Sequence, residues 1–296
     1  MKKKLLVTDS FFVKTNDIHQ LEIAGFEVIH LDKVCASEEE LIEAIHDVSV
    51  YILGGTELVT DTIVNSANKL EAIIFTGVDY DNFIPAAELA QQKGIKLLNA
   101  PGANATAVGE FAIGMALLML RELLDIGRTG TKKEVTTSTF QNSTVGILGM
   151  GNIGQVICKS VEQFSPKEVI YYNRSSKATK AKQATLTEIV EVADVIFITL
   201  PKKAGLILDN TMISKLKKGC LIVSISPNNL IDFQSLLVRL KSGEVRCAVD
   251  WEAPNKDFEE LPLNIWYNVN SHSGFNTEPA IEEVGKSVVQ KAISLL

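Results

Sequence analysis

Cysteine is scarce in this chain of 296 residues, with four in all. Cys35, Cys158, Cys220 and Cys247 stand far apart, with no Cys-x-x-Cys pair and no histidine at metal-ligand spacing, so neither a disulfide framework nor a structural zinc site is expected. The last three fall within apolar helix or strand patterns, where a free thiol behaves as a small buried hydrophobe. Basic charge is also in deficit. Lys and Arg number 29 against 36 Asp and Glu, a net charge of −7, so no basic face can dominate the field, and neither nucleic acid nor a membrane surface is an expected partner. No uninterrupted apolar run reaches membrane-spanning length. The Lys2-Lys3-Lys4 cluster is followed only by Leu5-Leu6-Val7 before Thr8, too little for a signal-peptide core. A cytoplasmic protein is the expectation.

What is present suits a soluble globular protein of two domains: 46% of residues are hydrophobic and 22% charged. Apolar strands alternate with amphipathic helices almost from end to end, the pattern of parallel sheets covered on both faces. Residues 4–8, 26–30, 48–53, 72–76 and 95–99 predict five short strands of one open sheet. Asn99-Ala100-Pro101-Gly102 then punctuates the chain. Ala105 to Leu124 reads as one helix, apolar around much of its circumference and so in need of burial, and the polar stretch Gly127 to Thr144 reads as a connecting loop.

Thr144 to Leu148 reads as a buried strand that breaks into Gly149-Met150-Gly151-Asn152-Ile153-Gly154, a Gly-x-Gly-x-x-Gly turn opening a helix. Gly149 permits the tight turn, Gly151 lets the backbone approach a pyrophosphate, and Gly154 lets the helix pack closely on the strand. The free N–H groups of Asn152, Ile153 and Gly154 then face the phosphates. Glu168 to Tyr172 is the next strand at the distance a βαβ unit requires. That strand ends on Asn173-Arg174-Ser175, without the carboxylate that accepts the ribose 2′-hydroxyl in an NAD site. Arg174 offers a planar cation, and Ser175 a hydroxyl, for a 2′-phosphate. NADP(H) is therefore favoured, with NAD(H) still possible if Arg174 merely stacks on adenine. Further strands end at Thr199, Ser226, Asp250 and His272, polar residues on the edge where open α/β sheets bind ligands.

These segments together resemble the D-isomer-specific 2-hydroxyacid dehydrogenase family over essentially the whole chain. Thr76-Gly77-Val78-Asp79-Tyr80-Asp81-Asn82, Asn99-Ala100-Pro101-Gly102-Ala103-Asn104 and Val108-Gly109-Glu110 are similar to its substrate loop and interdomain helix. The fingerprint, Leu200-Pro201, Val249-Asp250 and Ser271-His272 are similar to its cofactor domain. The resemblance implies two Rossmann-like, doubly wound parallel-sheet domains with an interdomain cleft. The substrate-binding, flavodoxin-like domain would comprise residues 1–100 with 276–296, and the dinucleotide domain 101–275. It further implies cofactor contacts from Leu200, Pro201, Ser226, Gly274 and Asp250, the last to the carboxamide. Substrate contacts would come from Gly54, Gly55, Gly77 and Val78. His272 would protonate the nascent alkoxide, a role that suits a group titrating near neutrality. A homodimer is implied as well, formed through the cofactor domain and compatible with an exposed apolar face on residues 105–124.

Two positions depart from the family. Where its catalytic arginine stands, this chain reads Ser226-Pro227-Asn228-Asn229, and proline offers neither charge nor donor. Where its glutamate precedes a proline, Ala253 precedes Pro254, leaving Glu252 as the candidate partner of His272. Two readings therefore stay open. One is an oxidoreductase of altered specificity, its substrate a 2-oxo acid, another small carbonyl or an imine, anchored by backbone N–H groups and by Lys202 or Lys203. The other is a catalytically impaired NAD(P)-binding sensor or partner-binding protein.

Overall fold

A computed structural model describes residues 2–129, 136–269 and 274–296. The chain forms two compact units, Met1–Asn104 with Asn276–Leu296, and Ala105–Phe275. Residues 101–104 thus fall with the first unit.

The first unit holds strands β1 (Lys4–Thr8), β2 (Glu27–Leu31), β3 (Val50–Leu53), β4 (Ala72–Phe75) and β5 (Lys96–Leu98). All are parallel, in the order β2-β1-β3-β4-β5. The inner strands β3 and β4 are buried at every residue, as a parallel sheet covered on both faces requires, whereas β2 and β5 expose Glu27, His30 and Lys96 at the edges. The winding reverses between β1 and β3, the switch point at which such sheets bind ligands. The last helix, Glu278–Ile293, starts on Thr277, whose side chain accepts the Ala280 N–H. Its Val284, Val288, Val289 and Ala292 pack with Leu5, Val7, Ile52 and Ile74 of this sheet.

The second unit holds β6 (Thr144–Leu148), β7 (Glu168–Tyr172), β8 (Lys182–Gln183), β9 (Val195–Ile198), β10 (Leu221–Ser224), β11 (Arg246–Val249) and β12 (Trp266–Asn268). They form one parallel sheet in the order β12-β11-β10-β9-β6-β7-β8. Its switch point lies at β6, flanked by β7 and β9. Helix Ala105–Leu120 exposes Thr106, Glu110 and Gly114 along a four-residue stripe. Its Ala112, Met115, Ala116 and Met119 pack with Val145, Ile147 and Ile157. At Gly109 it lies so close to helix Asn152–Val161 that a Cβ would stand 2.6 Å from Val156 Cγ1.

Three local features differ from the sequence reading. The helix expected over 105–124 stops at Leu120, because Glu122 adopts the left-handed region (φ 50°). A second helix, Leu123–Thr129, then runs into the stretch read as loop from Gly127. Strand β8 escapes pattern reading because two exposed polar residues carry no alternation; only its pairing with Ile170 and Tyr171 defines it.

Overpacking at the contact between the two helices gives a test. Gly109→Ala is expected to destabilise the second unit by about 1–3 kcal/mol, and Val156→Ala in the same chain to recover part of that loss. Thermal unfolding of the two single variants and the double variant measures both terms.

Candidate functional site

The site starts at the end of β6. Gly149 turns with φ 104°, and a Cβ there would meet the Thr199 carbonyl at 2.9 Å. Gly154 sits on the same turn from the other side, where a Cβ would stand 2.0 Å from the Gly149 carbonyl oxygen. Thr199, at the exit of β9, closes the contact by donating its hydroxyl to that carbonyl at 2.7 Å. Gly151 differs from both: a Cβ there would meet nothing within 4 Å. Two glycines are thus required by the protein's own packing, and the third leaves open space at the start of helix Asn152–Val161. That helix carries no acidic residue in its first turn. Its unpaired N–H groups and macrodipole present positive charge there, and the cradle fits a dinucleotide pyrophosphate.

At the end of β7, Asn173 uses its side-chain amide within the protein. Its Oδ1 accepts the Met150 N–H at 3.2 Å, and its Nδ2 donates to the Ser175 carbonyl at 2.8 Å. The Asn173 carbonyl accepts Gln183 Nε2 at 2.9 Å, so β8 braces the same corner. Arg174 and Ser175 are exposed. Arg174 lines a hollow of about 290 Å³ together with Tyr172, Asn173, Leu200, Pro201, Ala204 and Ile207. Leu200 and Pro201 were expected here. Tyr172, Ala204 and Ile207 escape sequence reading because apolar residues beside a strand exit look like ordinary core.

The remaining exits are more mixed. Ser226 is buried, and its hydroxyl donates to the Ile198 carbonyl at 3.0 Å, joining the ends of β10 and β9. Pro227, Asn228 and Asn229 are exposed, and Asn229 Nδ2 donates to the Lys202 carbonyl at 2.9 Å. Asp250 follows β11, and a Cβ on Gly274 would lie 3.4 Å from its Oδ2, so the chain comes back beside Asp250 at Gly274. Glu252 is exposed. His272, with Ser271, lies outside the described residues. Burial raises the thiol of Cys247 and pushes that of Cys220 up to about 12. Both sit in the core as apolar groups, not as nucleophiles.

In the first unit the predicted substrate residues lie on two neighbouring turns. Leu53 of β3 pairs with Phe75 of β4, and the Thr76 N–H donates to the Leu53 carbonyl at 3.1 Å, so the turns leave the sheet side by side. Gly54 is buried, and its N–H donates to Thr8 Oγ1 at 3.1 Å. Gly55 is buried against Glu57, where a Cβ would lie 2.2 Å from Oε2. Gly77 accepts the Ala100 N–H at 2.9 Å through its carbonyl, and Val78 is exposed. Glu57 itself was missed: a carboxylate in a Thr-Glu-Leu-Val exit reads as surface, yet this one is only 2% exposed.

A parallel sheet of Rossmann order with a glycine cradle at its switch point defines an α/β protein of the dinucleotide-binding class. The sequence profile of the D-isomer specific 2-hydroxyacid dehydrogenase NAD binding domain matches residues 113–269, and the chain belongs to that family. D-3-phosphoglycerate dehydrogenase of Homo sapiens is 29% identical over 312 residues, covering 99% of this chain and 56% of that protein. This chain therefore spans about half the length of such relatives. The NAD+-bound 3-phosphoglycerate dehydrogenase of Entamoeba histolytica has the same fold, with a TM-score of 0.82, 22% identity, and coverage of 100% of this chain and 95% of that one. So does an acyclic imino acid reductase in complex with NADPH and D-Arg, with a TM-score of 0.81, 23% identity, and coverage of 97% and 94%.

The glycines separate folding from binding. Gly151→Val should leave the melting temperature near that of the unaltered protein and weaken dinucleotide binding about tenfold or more, because its side chain enters the open space. Gly154→Val should instead lower the melting temperature through the clash with Gly149. Calorimetric titration with NADPH alongside thermal unfolding of both variants checks the contrast.

Proposed function

We propose that this protein is an NADP(H)-dependent oxidoreductase acting on a small carbonyl compound, a 2-oxo acid or a related imine. The observation that carries the cofactor choice is the corner after β7. Asn173 has no carboxylate, and its amide is used within the protein, so the acceptor suited to a ribose 2′-hydroxyl is lacking at this position. Arg174 stands exposed on the rim of the hollow that Leu200, Pro201 and Ala204 complete. Lys202 and Lys203 lie between those last two in sequence and are exposed. NADPH in one structural relative shows that the fold admits this cofactor in that protein.

When bound, the nicotinamide would supply the hydride for the substrate's carbonyl or imine carbon. Asp250 would hold the carboxamide, and the backbone N–H groups of Gly77 and Val78 would anchor the substrate. His272 donates the proton, with Glu252 as its candidate partner. Leu123 and Ile126, 54% and 43% exposed on helix Leu123–Thr129, supply apolar surface for a second copy of the chain. Pro227, standing where family members carry an arginine, supports a second reading: an NAD(P)-binding sensor without robust turnover.

Two measurements test these assignments. Arg174→Ala should weaken NADPH binding by about tenfold to a hundredfold, the scale of charge-assisted hydrogen bonds, while sparing NADH; equal losses for both would defeat the 2′-phosphate role. NADPH consumption with 2-oxo acids, aldehydes and cyclic imines should appear for one class and vanish in His272→Ala. Tight NADPH binding without turnover for any class would favour the sensor.

A further inference from the structure

Among the described residues Glu57 is the one carboxylate, ammonium or guanidinium group that is fully interior. Its Oε1 accepts the Tyr51 hydroxyl at 2.7 Å, and Tyr51 is itself wholly buried. The Tyr51 oxygen stands 3.4 Å from Thr8 Oγ1, which accepts the Gly54 N–H. Burial and the neighbouring Glu57 charge together raise the Tyr51 phenol well above its ordinary range, so Tyr51 stays a neutral donor. The second oxygen, Oε2, is buried with no hydrogen-bond partner and lies against Gly55. No Lys, Arg or His among the described residues forms an ion pair with it.

Interior placement of an unpaired carboxylate is costly, and a glutamine would also accept the Tyr51 hydroxyl, through a weaker neutral hydrogen bond. What the carboxylate adds is charge, seated behind the Gly54–Thr56 turn at the carboxyl edge of the sheet, next to the β1–β3 switch point. In the low dielectric of the interior that charge is poorly screened.

We infer that Glu57 makes this protein selective for a substrate carrying a positively charged nitrogen in its side chain and against one carrying a second carboxylate or a phosphate. Tyr51 and Thr8 are positioning residues that hold the turn against the carboxylate. This rests on the reading that the Gly54–Gly55 and Gly77–Val78 turns receive the substrate.

The test uses the full chain with NADPH and three 2-oxo acids of similar length: 5-guanidino-2-oxopentanoate, 2-oxohexanoate and 2-oxoadipate. Affinity is measured by calorimetry and reduction by NADPH absorbance. The expected order is cationic over neutral over anionic, about tenfold per charge step. Glu57→Gln should compress that span toward a common value, while Tyr51→Phe, which keeps the charge, should preserve the order. An anionic probe bound as tightly as the cationic one, a span unchanged in Glu57→Gln, or no binding of any probe overturns the inference. Ordered binding without NADPH consumption would support it while defeating the reductase reading, so the two failures are distinguishable.

Discussion

The close approach of helix Asn152–Val161 to the end of β6 is the contact on which the second unit depends. Gly154 lies so near the Gly149 carbonyl that no side chain fits between them, and the Thr199 hydroxyl locks that carbonyl from the third side. This one packing constraint aims the helix N-terminus at the switch point, leaves the space beside Gly151 open, and ties β9 to β6 at their carboxyl ends. Any widening there would swing the unpaired N–H groups away from the position of the phosphates.

Polar groups near the proposed ligand positions divide by whether the protein already uses them. Ser226, Asn173 and the Gly54 N–H are engaged internally, which makes them supports for neighbouring turns. Arg174 and Val78 are exposed to whatever binds. The distinction carries energetic weight, because a buried polar group that loses its partner costs about 1–3 kcal/mol, so an engaged group is not readily released to a ligand. Glu57 is a different case, a carboxylate 2% exposed with Oε1 engaged by Tyr51 and Oε2 left over.

Much of the architecture was legible from periodicity alone. Strands β1 and β7 span the ranges read from the sequence, because each has a buried apolar centre with polar residues at its ends. The apparently continuous 105–124 helix could not be divided from its pattern, since Leu123 and Leu124 continue the apolar spacing and the break depends on the backbone angle of Glu122. Strand β8 has no hydrophobic signature at all. Among the candidate site residues, Gly149 and Gly154 were legible because their spacing reflects close packing that only glycine permits, whereas Leu200-Pro201 was named from the family resemblance.

The sequence by itself determined the alternation of strands and helices, the position of the dinucleotide turn, and the lack of a carboxylate after β7. Each follows from local periodicity or from a residue type at a fixed offset. Only the tertiary structure decided which side chains remain available there. Whether Asn173 offers its amide to a ligand, whether Ser226 faces outward, and whether Glu57 is solvated or interior all depend on contacts between segments distant in sequence. No local pattern records those contacts, because the same residue types serve equally well as caps, braces or ligands until the neighbouring strand is in place.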